Sequence, residues 1–466
     1  MQNYTQKDNL LDTTRIGSLL MKLTAPLFLG MVIQNIYQIV DTIFVGRYVG
    51  TDALAALSIT MPIQMFVFGA GNMVSVGGAS LISRLIGQKD KQMAERTLGN
   101  SIFFGAMFSL IVTAIIVPFP CFWLKLVGVS DNVIPYAREY LTIIMSGSIF
   151  NLCGVVLLSL IRAEGNARVS MISMIIQSIL NVGLDAIFII GLKMGIGGAA
   201  VAMVISQAVA LVYILSYYLM GKSYLKIRWR NFMPDKKVVR GIFAIGVSQF
   251  FKAVVDCLSA TMIIKAVGQY GGDIGLSTFS ILIRTMNFAS LPGNVFSQAM
   301  QPILGFNYGA RRFRQVLKAI YYPAFTAIAL GVVALLVLVI FPGPIIRLFT
   351  TDSALIDSAI YGSHIMFLGL AFFSFFAVGQ MVFPSIGKAM STFLVSVLRP
   401  LLLIIPAAFI LPHFFGVKGV WLMFPTTDTA SCLLVIGFLI PLIKKFRKAA
   451  KEEAVLTPLD TNAPIV

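Results

Sequence analysis

Asp41 and Asp185 lie inside long, otherwise apolar stretches of the first half of this chain. A carboxylate surrounded by hydrocarbon is costly, and such groups commonly serve an ion or proton path. Gln34, Gln38 and Asp41 are spaced i, i+4 and i+7, which puts them on one helix face. Gln177, Asn181 and Asp185, at i, i+4 and i+8, form a second polar stripe. At ~1.5 Å per residue, each carboxylate falls about 8 Å inside the helix end marked by Gly46 or Gly191. If the two helices are neighbours, the acids face one another. Two carboxylates in a low-dielectric pocket do not both ionise cheaply, so one tends to hold a proton. Alternatively, two carboxylates and the Asn181 amide oxygen would suit a sodium ion. The plainer alternative is that each Asp caps a helix or makes a structural hydrogen bond. Gln64, Asn72 and Asn151 are further candidates to line a cleft, and each would serve equally as an interhelical hydrogen-bond partner.

The elements that must position these groups are membrane spans. Hydrophobic residues make up 58% of the 466, only 12% are charged, and mean hydropathy is +0.88. Soluble domains carry roughly 25% charged residues. Apolar stretches of bilayer length fall near 19–45, 54–82, 96–123, 137–160, 168–191, 197–220, 241–267, 274–303, 316–341, 359–383, 391–414 and 418–442. The expected fold is therefore an all-α integral membrane protein of twelve helices. These runs are too long and unbroken for the alternating strands of an outer-membrane barrel. The first fifteen residues are polar and the next stretch is long enough to span, so no cleavable signal peptide is expected. Four dispersed cysteines without a CxxC, and only His364 and His413, indicate neither a disulfide framework nor a metal cofactor.

A net charge of +17 raises the question of nucleic acid, but its placement answers it. With the N-terminus cytoplasmic, 26 of the 36 Lys and Arg fall in inner segments and only seven in outer loops. That is the positive-inside pattern, with both termini cytoplasmic in the cell membrane. The bilayer and small molecules are the expected partners, and no nucleic acid is.

The longest polar connection, 221–240, reads as a basic cytoplasmic linker. It divides a first six-helix lobe (1–220) from a second (241–445), with a polar tail at 446–466. The halves look like copies. Gly165 and Gly197 correspond to Gly387 and Gly419 at an offset of 222, and Gly87 to Gly305 at 218. Six spans return the chain to its starting side, so the copies share orientation about a pseudo-two-fold along the membrane normal. Two such bundles enclose a central cleft suited to rocking. One chain supplies both halves, so a monomer is expected.

LTAPLFLGMVIQNIYQIVDTIFVGRYVGTDALAALSI, the RLIGQKD turn, LIRAEGNAR and NVGLDAIFIIGLKMGIGGAAVA resemble the multidrug and toxic compound extrusion (MATE) family, nearest its MepA-like and DinF-like prokaryotic branch. The likeness runs from about residue 15 to 445. It implies an ion-coupled exporter of organic cations and other amphipathic compounds, with Asp41, Asn181 and Asp185 at cation-binding positions. In the family the GGAA turn is commonly followed by a Thr; here Met203 stands at that point. A thioether suits Na⁺ poorly, which favours H⁺ as the coupling ion. Pro26 lies about four turns below Asp41 and removes a helix hydrogen bond, making it a candidate hinge.

The second lobe lacks the matching acid: Asp185 corresponds to Ala407 and Asn181 to Leu403. It carries Lys252, Asp256, Arg284, Arg399 and Asp428 within apparent spans. Lys252 and Asp256, at i, i+4, are expected to pair. Arg284 and Arg399 are expected to face the cleft or meet Asp256 or Asp428. Free cleft arginines would favour the runner-up, a flippase of lipid-linked precursors. No Walker sequence indicates a nucleotide motor. An ion channel is less favoured because the repeat builds its cleft within one chain. An intramembrane enzyme lacks the Ser/His, paired-Asp or HExxH context it would need.

Overall fold

The computed structural model describes residues 10–127, 132–350 and 352–456. The first lobe comprises spans one (Ile16–Tyr48), two (Asp52–Gly87), three (Lys91–Ile116), five (Ala167–Gly191) and six (Gly195–Leu219). Span four is a broken one, Ile134–Ser146 followed by Ser148–Ala163, bent by 52°. Spans seven and eight run together as a helical stretch of 74 residues, Lys236–Gly309. At ~1.5 Å per residue that is over 100 Å of helix, several bilayers long. It folds back at Gly272, whose φ of 56° and ψ of −155° are open to glycine alone. Val267 and Gly268 accordingly pack on Gly275 and Leu276. Spans nine (Phe313–Ile340), ten (Ser353–Ser385), eleven (Ala389–Phe415) and twelve (Val417–Glu453) complete twelve crossings in two lobes.

The internal repeat is visible in the backbone, and it corrects one register. Left-handed residues recur at Lys89 and Arg311, and at Gly165 and Gly387, each pair 222 apart. Span two ends at Gly87 and span eight at Gly309, the same separation. Gly87 therefore matches Gly309, not Gly305. The sequence alignment slipped by four residues, about one helical turn, which leaves the apolar pattern almost unchanged. Packing confirms the register. A Cβ on Gly87 would overlap the Phe306 carbonyl, and one on Gly309 would overlap the Arg84 carbonyl. Arg84 and Phe306 are themselves 222 apart, so the contacts are related by the pseudo-two-fold.

These contacts join the lobes at one end only. A single apolar core runs through both lobes there, from Leu20, Val74 and Leu160 to Phe296, Phe383 and Val435. At the other end the core divides. One part draws only on the first lobe (Val45, Leu141, Ile189) and one only on the second (Val267, Phe367, Trp421). The joined end carries the linker between spans six and seven, and with it most of the basic residues. Asn100 on span three donates to the Asn231 and Met233 carbonyls at 2.9 and 3.0 Å and accepts from the Asp235 N–H at 3.0 Å. Arg96 pairs with Asp235 at 3.1 Å. The linker is thus fastened to the first lobe.

Gly309→Val should force the joined ends apart and cost about 1–3 kcal/mol of overpacking. Gly437 on span twelve has nothing within 4 Å of a built Cβ, so Gly437→Val is the control. Thermal unfolding of the two purified variants should separate them; equal midpoints would show that close approach at Gly309 is dispensable.

Candidate functional site

Span one packs along span five, where Gly30 admits Met171 and Met174 to within 3.0–3.6 Å of its built Cβ. That packing sets the two polar stripes face to face, and the carboxyls of Asp41 and Asp185 lie side by side, close enough to share a proton. Asp185 is fully buried at 0% exposure and Asn181 at 1%, whereas Asp41 is partly exposed. Both carboxyl oxygens of Asp185 and the Asn181 Oδ1 are buried with no hydrogen-bond partner among the described residues. Buried acceptors are almost always satisfied, so three bare ones in one place form a concentrated negative pocket. Directly after Asp185 the helix widens to a π turn, Ala186–Gly191, a local irregularity frequent at functional sites.

A cavity of about 340 Å³ opens beside the pair. It is lined by Gln34, Gln38, Gln64, Asn151, Gln177 and Met203, six of the residues singled out from sequence. Asn72 does not line it. Two tyrosines missed by the sequence reading stand near the acids: Tyr37 lines the cavity, and Tyr140 lies outside its lining. Tyr37, buried, lies beside Gln38 and Gln177 and within electrostatic reach of both acids. It shares the span-one face with Gln34, Gln38 and Asp41, a signal that counting only amides and acids overlooks. Tyr140, also buried, reaches the same acids and Gln64, and its hydroxyl contacts the Met203 sulfur at 3.9 Å. No sequence spacing connects span four to span six, so Tyr140 had no such signal. Pro26 lies within the unbroken helix of span one, far from the acids, beside a separate pocket at the joined end.

The second lobe handles its charges differently. Arg399 donates to Asp428 Oδ1 at 2.7 Å and to Ser431 Oγ at 3.2 Å. Its guanidinium lies over the rings of Phe376 and Phe373, at 4.5 and 5.3 Å. Lys252 and Asp256 form an ion pair along span seven. Arg284 meets neither Asp256 nor Asp428; it is exposed and takes part in no ion pair among the described residues.

One further acid sits between spans four and five. Glu164 is buried and accepts from the hydroxyls of Tyr218 at 2.9 Å and Ser223 at 2.5 Å and from the Tyr224 N–H at 3.2 Å. Burial pushes its carboxyl up to about 7, against the pull of these hydrogen bonds.

The molecule is thus an integral membrane protein of two like-oriented six-helix lobes, one holding an acid pair, half of it fully buried, beside a largely apolar cavity edged by amides. A family profile described as MatE matches residues 26–187 and 248–410, and the chain belongs to that family. It is 25% identical over 427 residues to the multidrug export protein MepA of Staphylococcus aureus (strain N315), covering 90% of this chain and 93% of that protein. The MepA of Staphylococcus haemolyticus (strain JCSC1435) is 25% identical over 428 residues, covering 91% and 93%. An outward-facing multidrug resistance MATE family transporter of the MOP superfamily superposes with a TM-score of 0.90 at 22% identity, covering 96% of this chain and 100% of that one. A MOP superfamily transporter from Pyrococcus furiosus gives 0.90 at 23%, with the same coverage. At these identities the solved structures show a shared fold.

Removing one partner of a buried ion pair strands the other, at about 3–5 kcal/mol. Asp428→Ala should therefore destabilise strongly, and the double Arg399→Met, Asp428→Leu should recover most of the loss in thermal unfolding. A double variant as unstable as the single would mean that mutual neutralisation is not their role. For Glu164, a carboxyl raised to about 7 in the fold from an ordinary 4.5 binds its proton more tightly folded than unfolded. Its contribution is fully present below pH ~4.5 and is lost as pH rises through ~7, on the order of 3 kcal/mol. Stability should fall over that window, and Glu164→Gln should flatten the profile; an unchanged slope would assign the dependence elsewhere.

Proposed function

We propose that this protein is a secondary active antiporter. It exports amphipathic and organic cationic compounds in exchange for H⁺ entering at Asp41 and Asp185, by rocking between inward and outward openings. The observation that carries the reading is the trio of bare buried acceptors, two on Asp185 and one on Asn181, beside Asp41 and a cavity. Positive charge is what such a pocket lacks. A proton on either acid, or a cation between them, supplies it, and that gives the site the two charge states that coupling requires. The names of the MepA relatives, multidrug export proteins, support the substrate class. Glutamines, Tyr37 and the soft side chain of Met203 line a wall that adapts to differently shaped ligands.

Na⁺ is the alternative coupling ion, favoured by the same three oxygens. H⁺ is preferred because the position facing Tyr140 is Met203, which offers sulfur where a hard cation takes oxygen. The flippase reading keeps only Arg284, exposed and in no ion pair among the described residues, since Arg399 is neutralised by Asp428. We read residues 221–240 as the inter-lobe linker, the joined basic end as cytoplasmic with both termini, and the working unit as a monomer in the cell membrane. Pro26 is assigned the bend that would narrow the first-lobe cavity.

In proteoliposomes, Asp185→Asn and Asp41→Asn should each lower gradient-driven efflux of a fluorescent organic cation more than about tenfold, while equilibrium binding of the same compound changes far less. Full efflux in Asp185→Asn would reject the coupling role. Dissipating the proton gradient alone should stop wild-type efflux, whereas Met203→Thr should introduce dependence on a sodium gradient. Wild-type efflux that persists without the proton gradient and stops without sodium would reverse the choice of ion.

A further inference from the structure

Two grooves meet at the basic end on the membrane-facing flank, and neither belongs to the cavity above. The first, about 880 Å³, runs along the seam between span one and span nine. Its walls include Met21, Phe325 and Phe375, with Phe325 76% exposed. At its mouth stand Arg15, Lys318 and Tyr321. The second, about 690 Å³, lies between spans nine and twelve and is lined by Arg314, Lys318, Arg447 and Lys451. Lys318 is common to both, and Arg447 donates to the Tyr321 hydroxyl at 2.9 Å. Among the described residues no acidic side chain lines either groove. Glu453 stands at the rim, accepting from the Arg314 backbone N–H at 3.3 Å.

Nearby cations are neutralised: Arg312 pairs with Asp12, Arg96 with Asp235 and Arg228 with Glu95. The groove cations take part in no ion pair among the described residues. Five positive side chains therefore converge beside an apolar trough between membrane-spanning helices. Long Lys and Arg side chains at a span end place their charge at headgroup level while their stems pack on apolar surface, and a tyrosine pair beside them suits the interface. Basic pockets between spans on the cytoplasmic side take phosphate-bearing headgroups.

We propose that these joined grooves bind one anionic phospholipid of the cytoplasmic leaflet. Its phosphate would lie among Arg15, Lys318 and Arg447, and an acyl chain along Phe325 and Phe375 between the lobes. The inference rests on the basic end being cytoplasmic, but on no step of transport.

The test uses the full chain in neutral detergent, with retained lipid counted by native mass spectrometry. Phosphatidylglycerol should be retained in preference to phosphatidylcholine. The triple variant Lys318→Gln, Arg447→Gln, Lys451→Gln should weaken retention about fivefold per charge removed. The control Lys444→Gln, Lys445→Gln, Lys448→Gln removes equal charge from span twelve at positions outside the grooves and should leave retention intact. Equal loss in both triples would reduce the effect to bulk charge and overturn the site. Phe325→Gln, at an exposed position that does not threaten folding, should weaken phosphatidylglycerol alone. Inorganic phosphate displacing the lipid at millimolar concentration, with Phe325→Gln silent, would assign the cations to a free anion and overturn the lipid. None of these readouts needs efflux, so failure here leaves the antiport reading standing.

Discussion

Polar atoms inside a bilayer have no water to turn to, so each must find its partner within the fold or be neutralised by something that enters. Most of this chain obeys the first course. Buried Ser and Thr hydroxyls bond back to carbonyls one turn earlier, as at Thr60, Ser178, Ser206 and Thr427. The Asp185 carboxyl and the Asn181 carbonyl oxygen do not. The role proposed for spans one and five rests on that bareness, with the surrounding amides and Tyr37 as the wall beside it.

The lobes share a backbone but divide the electrostatics. At the constant separation of 222, Gln177 becomes Arg399, Ser206 becomes Asp428, Asn181 becomes Leu403 and Asp185 becomes Ala407. The second lobe thus carries charge of both signs, held as internal pairs at Arg399–Asp428 and Lys252–Asp256. Such pairs respond weakly to an arriving cation because each charge already has its counter-charge. The first lobe's Asp41 and Asp185 face each other with no basic partner among the described residues, whereas the second lobe neutralises all of its intramembrane charges but Arg284.

Much of this was legible in the sequence because hydropathy and helical spacing are local. Twelve spans, the two stripes and the Lys252–Asp256 pair all follow from residues within two turns of one another. What failed was long-range or nearly periodic. A four-residue slip at Gly87 costs almost nothing in apolar pattern, yet only Gly309 sits where the Arg84 carbonyl demands a missing Cβ. Tyr140 joins the acids through the packing of span four, which bends by 52° at Gly147. Arg399 and Arg284 looked equivalent as intramembrane arginines. The first found Asp428 on span twelve and the second found none, a distinction set by which helices touch.

The joined end also constrains how a change at the acids can spread. Gly87 against Phe306 and Gly309 against Arg84 form a contact without side chains between the backbones, so it has little compliance and separates as a unit. Span one crosses from Asp41 to this end, where its buried Leu19, Leu20 and Leu23 enter the core common to both lobes. Span five, bearing Asp185, packs along it. A charge change that draws these two helices together at the acid level therefore acts on the same elements that help hold the lobes shut below. The far ends have no shared core to resist. Under the proposed rocking, opening and closing would be linked to the acids through spans one and five, with Pro26 lying on span one between the acid level and the joined end.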